Sequence, residues 1–232
     1  MPVLLRALTA RPNFDLHGGG FGARRSLAGS GRIAMNPTSG DELFSDPDWN
    51  APLDADGLIA RMPRDSTVRG IFFQNAVEQV RRKQKQDPFG REYYKLLSYP
   101  SFELAQVLCK ASEILHPDLP LRQGLRRLGR SVFPALRETA AGTFLFSVAG
   151  KNVRSAFKLT SRAYELFSSH GKAEVGAVED DAVYIELRNI WTFPDSYHLG
   201  IFEGALAAYE TPGRIQVQRL SDCDVDLCVR LG

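Results

Sequence analysis

Four residues close together in the chain, Trp191, Phe193, Tyr197 and His198, combine apolar area with hydrogen-bonding tips. Such rings suit the mouth of an apolar pocket, with the phenol and imidazole as polar handles for a ligand. They would equally serve as packing that locks a helix onto a sheet, because aromatic side chains dominate core energetics. A second constellation is cationic. Arg122, Arg126 and Arg130 recur every four residues, with Arg127 and Arg137 nearby, and so fall on one helical stripe. That row would grip phosphate or an acidic protein partner, or else form a solvated face. Asp222, Asp224 and Asp226 alternate along a strand; they lack the glycine turn and distal Glu of a calcium loop and fit an edge that discourages pairing. No Gly-x-Ser-x-Gly, phosphate-binding loop or His-Glu-x-x-His occurs, and His198 and Glu203, five apart, do not share a helical face. No catalytic residue, metal ligand or cofactor is assigned, and a non-enzymatic role is expected.

The elements that would hold these residues follow from periodicity. Leu199, Phe202, Leu206 and Tyr209 line one face of a helix that Pro194 starts and Pro212-Gly213 closes. Strands alternate on either side: about 163–168, 172–178 and 182–190 before it, about 214–220 and 224–231 after it. Upstream the pattern is helical. Ser66 is a plausible cap for a helix to about Lys83, whose terminal Arg81-Arg82-Lys83 suits the negative end of the helix dipole. A second helix runs from Ser101 to about Leu115 between Pro100 and Pro117, a third region covers roughly 121–149 with a break forced near Pro134, and 152–159 is one short helix. The fold class is α+β: an N-terminal helical layer packed on an antiparallel sheet of about 4–5 strands, with a hairpin–helix–hairpin C-terminal half. Gly200 and Gly204, one turn apart, permit a close backbone approach there.

Composition bounds the rest. With 232 residues, 44% apolar and 24% charged, the chain is an ordinary globular one. The apolar stretch Ala140–Gly150 is 11 residues, well short of the ~20 needed to span a bilayer, so no membrane segment is expected. Three cysteines suggest no disulfide framework, and a cytoplasmic setting is the default. The net charge of +2 comes from residues 1–34, which hold five arginines against one acid; the remainder carries 24 basic and 26 acidic residues. Nucleic-acid binding is therefore not expected. Residues 1–34, Gly-, Ser- and Arg-rich, read as a disordered leader, with Met35 as an alternative start. Residues 35–65, acidic and proline-bearing, read as a solvated linker, although Leu43, Phe44 and Trp49 would also suit a partner-binding motif. One domain is expected over 66–232.

Three stretches together carry a family resemblance. They are Gly-Leu-Arg-Arg-Leu-Gly-Arg (124–130) with the following Val-Phe-Pro-Ala-Leu and Thr-Ala-Ala-Gly; Tyr-Glu-Leu with Ser-Ser-His-Gly-Lys-Ala-Glu-Val (164–175); and Trp-Thr-Phe-Pro-Asp-Ser-Tyr-His-Leu-Gly-Ile-Phe-Glu-Gly-Ala-Leu (191–206). Over about residues 66–232 the chain resembles a large paralogous domain family of unknown function from myxobacteria. The resemblance implies a bacterial cytoplasmic protein and brings no catalytic residues. More distantly, the element order is similar to a superfamily that includes vinyl-four-reductase sensor domains, haem-nitric-oxide-binding domains and transport-particle subunits. That similarity implies a sensory or regulatory module with a small apolar ligand between helices and sheet, or a protein-interaction domain or homodimer with a filled core. The haem-binding relatives use Tyr-x-Ser-x-Arg on the propionates. Here the match is Tyr184-x-Glu186-x-Arg188, and Glu186 would oppose those carboxylates. Cysteines near the C-terminus hold zinc in the sensor relatives, but the spacing of Cys223 and Cys228 puts their thiols on opposite faces of a strand.

Overall fold

Two hydrophobic periods divide the chain, and each builds its own core. The computed structural model describes residues 43–84 and 87–232. The expected leader, the alternative start at Met35 and the first part of the expected linker lie outside them. The helical part comprises α1 (Ala55–Arg61), α2 (Gly70–Lys83), α3 (Ser101–Leu115), α4 (Leu121–Arg130), α5 (Val132–Arg137), α6 (Ala140–Ala149), α7 (Val153–Lys158) and α8 (Thr160–Phe167). Two three-residue strands, β1 (Thr67–Arg69) and β2 (Ser98–Pro100), pair antiparallel in front of α2 and α3. The second part is a four-stranded antiparallel sheet of β3 (Lys172–Val178), β4 (Ala182–Arg188), β5 (Gly213–Arg219) and β6 (Val225–Leu231), in the order β3-β4-β6-β5. Between β4 and β5 run a π-helical turn, Pro194–His198, and α9 (Leu199–Ala208). The molecule is thus an α+β fold with helices layered on one antiparallel sheet.

Alternation decides the faces of that sheet. Val183, Ile185 and Leu187 on β4 and Val225, Leu227 and Val229 on β6 point to α9 and bury against Leu199, Phe202, Ala205 and Leu206. On the helical side Phe73, Val77, Val80, Leu104, Leu108, Leu125 and Leu128 form a second core, which Phe193 and Tyr197 join. The break expected near Pro134 falls at Ser131, between α4 and α5. Proline lacks the amide that would bond to the carbonyl four residues back and collides with that turn, so the helix must end before it.

Three expectations are corrected. Residues 163–167 are the end of α8 and not a strand, with Ser168 its extended C-cap: Ala163, Tyr164 and Phe167 share a face toward the interior, a helical spacing. The segment from Leu43 to Asp65 is not a solvated tether. Phe44 is buried against Ala182 and Cys228 on the outer face of the sheet, and Ser45 exchanges two backbone hydrogen bonds with Val217, covering the β5 edge. Asp54 caps α1 by accepting from the Gly57 amide at 2.9 Å, and Leu58 and Met62 enter the helical core. Finally, the aspartate row is not a solvated edge, because β6 lies inside the sheet. Asp226 is buried beside Arg188 at 2.5 Å, and Asp224 accepts from the Asn189 amide at 2.8 Å.

Candidate functional site

The link from β4 to α9 is tightly held, and it carries the residues that matter. The Ile190 amide donates to the Cys223 carbonyl at 2.8 Å, fixing the chain as it leaves the sheet. Phe193 then takes a left-handed conformation (φ 61°), costly for a residue with a bulky side chain, while that side chain is buried. Pro194 opens the π-helical turn, in which the His198 amide reaches back five residues to the Phe193 carbonyl. A single π turn inside a helix is a strained, locally widened element, common at functional sites. Here it brings the Tyr197 and His198 side chains inward ahead of α9.

They enter a cavity of about 120 Å³ between the two cores. Its walls are Phe72 and Leu104 from the helical side, Phe133, Phe146 and Phe157 from α5–α7, and Phe202 and Ala205 from α9. Among the described residues no Asp, Glu, Lys or Arg lines it, and His170 lines it beside His198. One polar chain crosses the wall: Thr192 Oγ1 lies 2.7 Å from His198 Nε2, and His198 Nδ1 is hydrogen-bonded to the Tyr164 hydroxyl. Tyr197 stacks edge-on to His198 with ring centroids 5.5 Å apart, and its buried hydroxyl has no partner among the described residues. Burial drives Tyr164, Tyr197 and His198 toward their neutral forms. The Tyr164 and Tyr197 hydroxyls are pushed up, Tyr164 by burial first and the neighbouring Tyr197 second, and burial pushes the His198 imidazole down to about 3.

The imidazole therefore makes stability depend on acid. Below its ordinary value of 6.5 the unfolded chain takes up a proton at this residue, while the folded chain refuses it until about 3. The unfolded state binds more protons throughout that window, so stability is full above it and falls as the pH drops, by about tenfold in the folding constant per pH unit. Urea unfolding of wild type and His198→Gln between pH 7 and pH 4 reads this as a difference of one proton in the slopes. Equal slopes would show that the imidazole is not held neutral.

Of the residues expected from sequence, Trp191, Tyr197 and His198 line the cavity, whereas Phe193 packs into the helical core. Trp191 is half-buried, its indole N–H donating to Asn189 Oδ1 at 2.5 Å. Tyr164 and Thr192 were missed. Thr192 adjoins the aromatic cluster, and its hydroxyl one residue after Trp191 is the signal for it; a strand reading of 163–168 hides Tyr164. The arginine row, expected as a partner surface, is turned to internal use. Arg122 is buried, paired with Asp195, and donates to the Ala51 carbonyl at 3.1 Å. Arg126 makes a bidentate pair with Glu203 at 2.7 and 2.5 Å and stacks on Trp49 at 4.2 Å. Arg130 approaches Glu203 at 3.4 Å. These cations bind α4 to α9 and to the 49–52 segment, so the row offers little free charge to a partner. Cys228 is buried on the outer face of the sheet and Cys223 sits in the β5–β6 turn. Among the described residues no group of three or more His, Cys, Asp or Glu is placed to hold a metal ion, and no helix is long and apolar enough to cross a membrane.

A family model described as "Protein of unknown function (DUF2378)" matches residues 61–230. No curated protein matches the chain. Among solved structures, the fold is similar to an Fe(II) unliganded H-NOX protein from K. algicida, with 12% identity and a TM-score of 0.56 over 71% of this chain and 96% of that one. It is also similar to an H-NOX protein from S. oneidensis in the Fe(II)NO ligation state, with 15% identity and a TM-score of 0.55 over 71% and 99%. At such identities the likeness carries the fold alone, so a haem must be judged on this chain's own residues. They do not fit one. Both ring nitrogens of His198 are already engaged. The Tyr184, Glu186 and Arg188 side chains alternate with those that face α9 and so lie on the sheet face away from the cavity, with Arg188 held by Glu186 at 3.0 Å and by Asp226. The cavity is also below the roughly 300–1,000 Å³ of drug-sized ligand pockets, and a tetrapyrrole is no smaller than such ligands.

Proposed function

We propose, from the premise that the chain belongs to the DUF2378 family of proteins of unknown function, that it is a non-enzymatic sensory or regulatory domain binding a small apolar ligand between its two layers. We place it in the bacterial cytoplasm. The observation that carries the reading is the cavity itself: a mostly apolar, aromatic-rich chamber of about 120 Å³ whose walls come from both cores. An apolar cavity of comparable size, about 150 Å³, stays dry and takes up benzene. A guest here would bridge the helical layer and α9, and so would favour one arrangement of the two over others. The titratable groups that meet in these walls, Tyr164, Tyr197 and His198, are held neutral by burial, and among the described lining residues no carboxylate or lysine stands beside them to share general acid–base work.

Thermal unfolding with benzene and cyclopentane tests this. At a free concentration ten times the dissociation constant, linkage predicts a gain of about 1.4 kcal/mol, equivalent to a rise of about 3 °C in Tm for a domain of this size. Ala205→Leu, which grows into the cavity, should abolish the rise while the domain stays folded. A Tm that ignores both guests at saturation in water counts against the reading. Protein contact is a second, compatible role, favoured by Tyr94, Leu96 and Leu97, which are 58%, 81% and 55% exposed in one short loop. Sedimentation of wild type against Leu96→Glu checks it: association should weaken in the variant.

A further inference from the structure

We infer that the guest is uncharged and brings a hydrogen-bond acceptor, which accepts from the Tyr197 hydroxyl and from the hydroxyl at the free end of the Thr192–His198–Tyr164 chain. The inference rests on the ligand-binding reading above and deepens it. It begins with a count of protons. Thr192, a neutral His198 and Tyr164 carry one mobile proton each, three in all, and the two N···O contacts between them use two. If Nε2 holds the ring proton, it donates to Thr192, Tyr164 donates to Nδ1, and the Thr192 proton is left over. If Nδ1 holds it, it donates to Tyr164, Thr192 donates to Nε2, and the Tyr164 proton is left over. Either tautomer leaves one hydroxyl donor unused, at one end of the chain or the other.

Tyr197 adds a second. Its hydroxyl is buried without a partner among the described residues, and a buried donor in that state is unfavourable until an acceptor reaches it. Tyr197 borders the same cavity as Tyr164, His198 and Thr192. The walls offer these protons little in return. Asn189, the one side-chain amide among the described lining residues, already accepts from the Trp191 indole, the Ser66 and Ser168 hydroxyls are bound to the Pro63 and His170 carbonyls, and most of the remaining lining is hydrocarbon. An ionised guest would find little counter-charge: among the described residues no Asp, Glu, Lys or Arg lines the space, and the second lining imidazole, His170, already faces Asp65 at 3.6 Å, so desolvating the guest would cost more than the cavity returns. The chemistry that matches is a compact ring or short chain bearing a carbonyl or ether oxygen.

Three five-membered rings of similar size separate the possibilities: cyclopentane, cyclopentanone and cyclopentylammonium. Their dissociation constants are measured on the full chain and on Tyr197→Phe, which keeps the ring and removes only the unpartnered hydroxyl. Loss of one hydrogen bond should weaken cyclopentanone about 3- to 10-fold in the variant, leave cyclopentane unchanged or tighter, and leave the ammonium without measurable binding to either protein. In the wild type the carbonyl stretch of bound cyclopentanone should move to lower frequency, which needs no variant. An unshifted stretch, or equal loss of ketone and hydrocarbon in Tyr197→Phe, overturns the inference while the cavity reading survives. Binding of the ammonium as tight as that of the ketone overturns the uncharged class. If none of the rings binds the wild type, both readings fall together.

Discussion

Replacing Arg122 with alanine is expected to destabilise the domain by about 3 kcal/mol, read by urea unfolding at pH 7. The guanidinium is only 5% exposed and its partner Asp195 13%, so water screens neither charge well. Removing one member of such a buried pair typically costs about 3–5 kcal/mol, because the other charge is left uncompensated. The lower end applies here, since Arg219 Nε stands 3.8 Å from Asp195 and takes up part of the field. Arg122 also donates to the Ala51 carbonyl, so amide exchange in the 43–62 segment should quicken more than in the sheet. The double replacement Arg122→Met with Asp195→Leu should recover most of the loss, because an apolar pair of similar volume needs no desolvation. A single variant as stable as wild type would mean that the pair is solvated in solution.

The same arginine shows where the sequence could be read and where it could not. Its helix, its stripe with Arg126 and Arg130 and the α+β class all follow from local periodicity. So do the four sheet strands and the helix between prolines 100 and 117. The partners of those arginines lie 73 and 77 residues along the chain, at Asp195 and Glu203, and no local pattern announces them. The 43–65 segment was obscured for a related reason. Its anchors Phe44, Trp49, Leu58 and Met62 are sparse apolar residues among acids and prolines with no sustained period, and they dock on cores built by elements elsewhere in the chain. In α8 the aromatic Tyr164 and Phe167 with Leu166 suggest a strand, but the inward placing of Ala163, Tyr164 and Phe167 on one side favours the helix. The aromatic cluster at 191–198 was visible by residue type. Its cavity was not, because a void depends on what several distant side chains fail to fill.

The close seating of α9 on α4 yields a second large effect. A side chain at Gly200 would place its Cβ against the Arg126 carbonyl oxygen, one at Gly204 against the Arg130 carbonyl, and one at Gly129 against the Tyr197 carbonyl. All three obstacles are backbone atoms, which cannot swing aside as a flexible side chain would. Gly200→Ala gains about 1 kcal/mol of helix propensity, but forcing the helices apart costs about 1–3 kcal/mol and also pulls Arg126 from Glu203. The expected net loss is about 2 kcal/mol. The pair Gly200→Ala with Gly204→Ala should lose only about 3 kcal/mol, less than twice the single value, because one separation of the helices relieves both contacts. Gly176→Ala in β3, where a Cβ would meet nothing nearer than 3.9 Å, should stay within about 0.5 kcal/mol of wild type. Because α9 also carries Phe202 and Ala205 into the cavity wall, Gly200→Ala should weaken cyclopentane binding as well as the fold. A Gly200→Ala domain with wild-type stability and affinity would mean that α4 and α9 are not locked together, and that the cavity between the layers is not held at a fixed size.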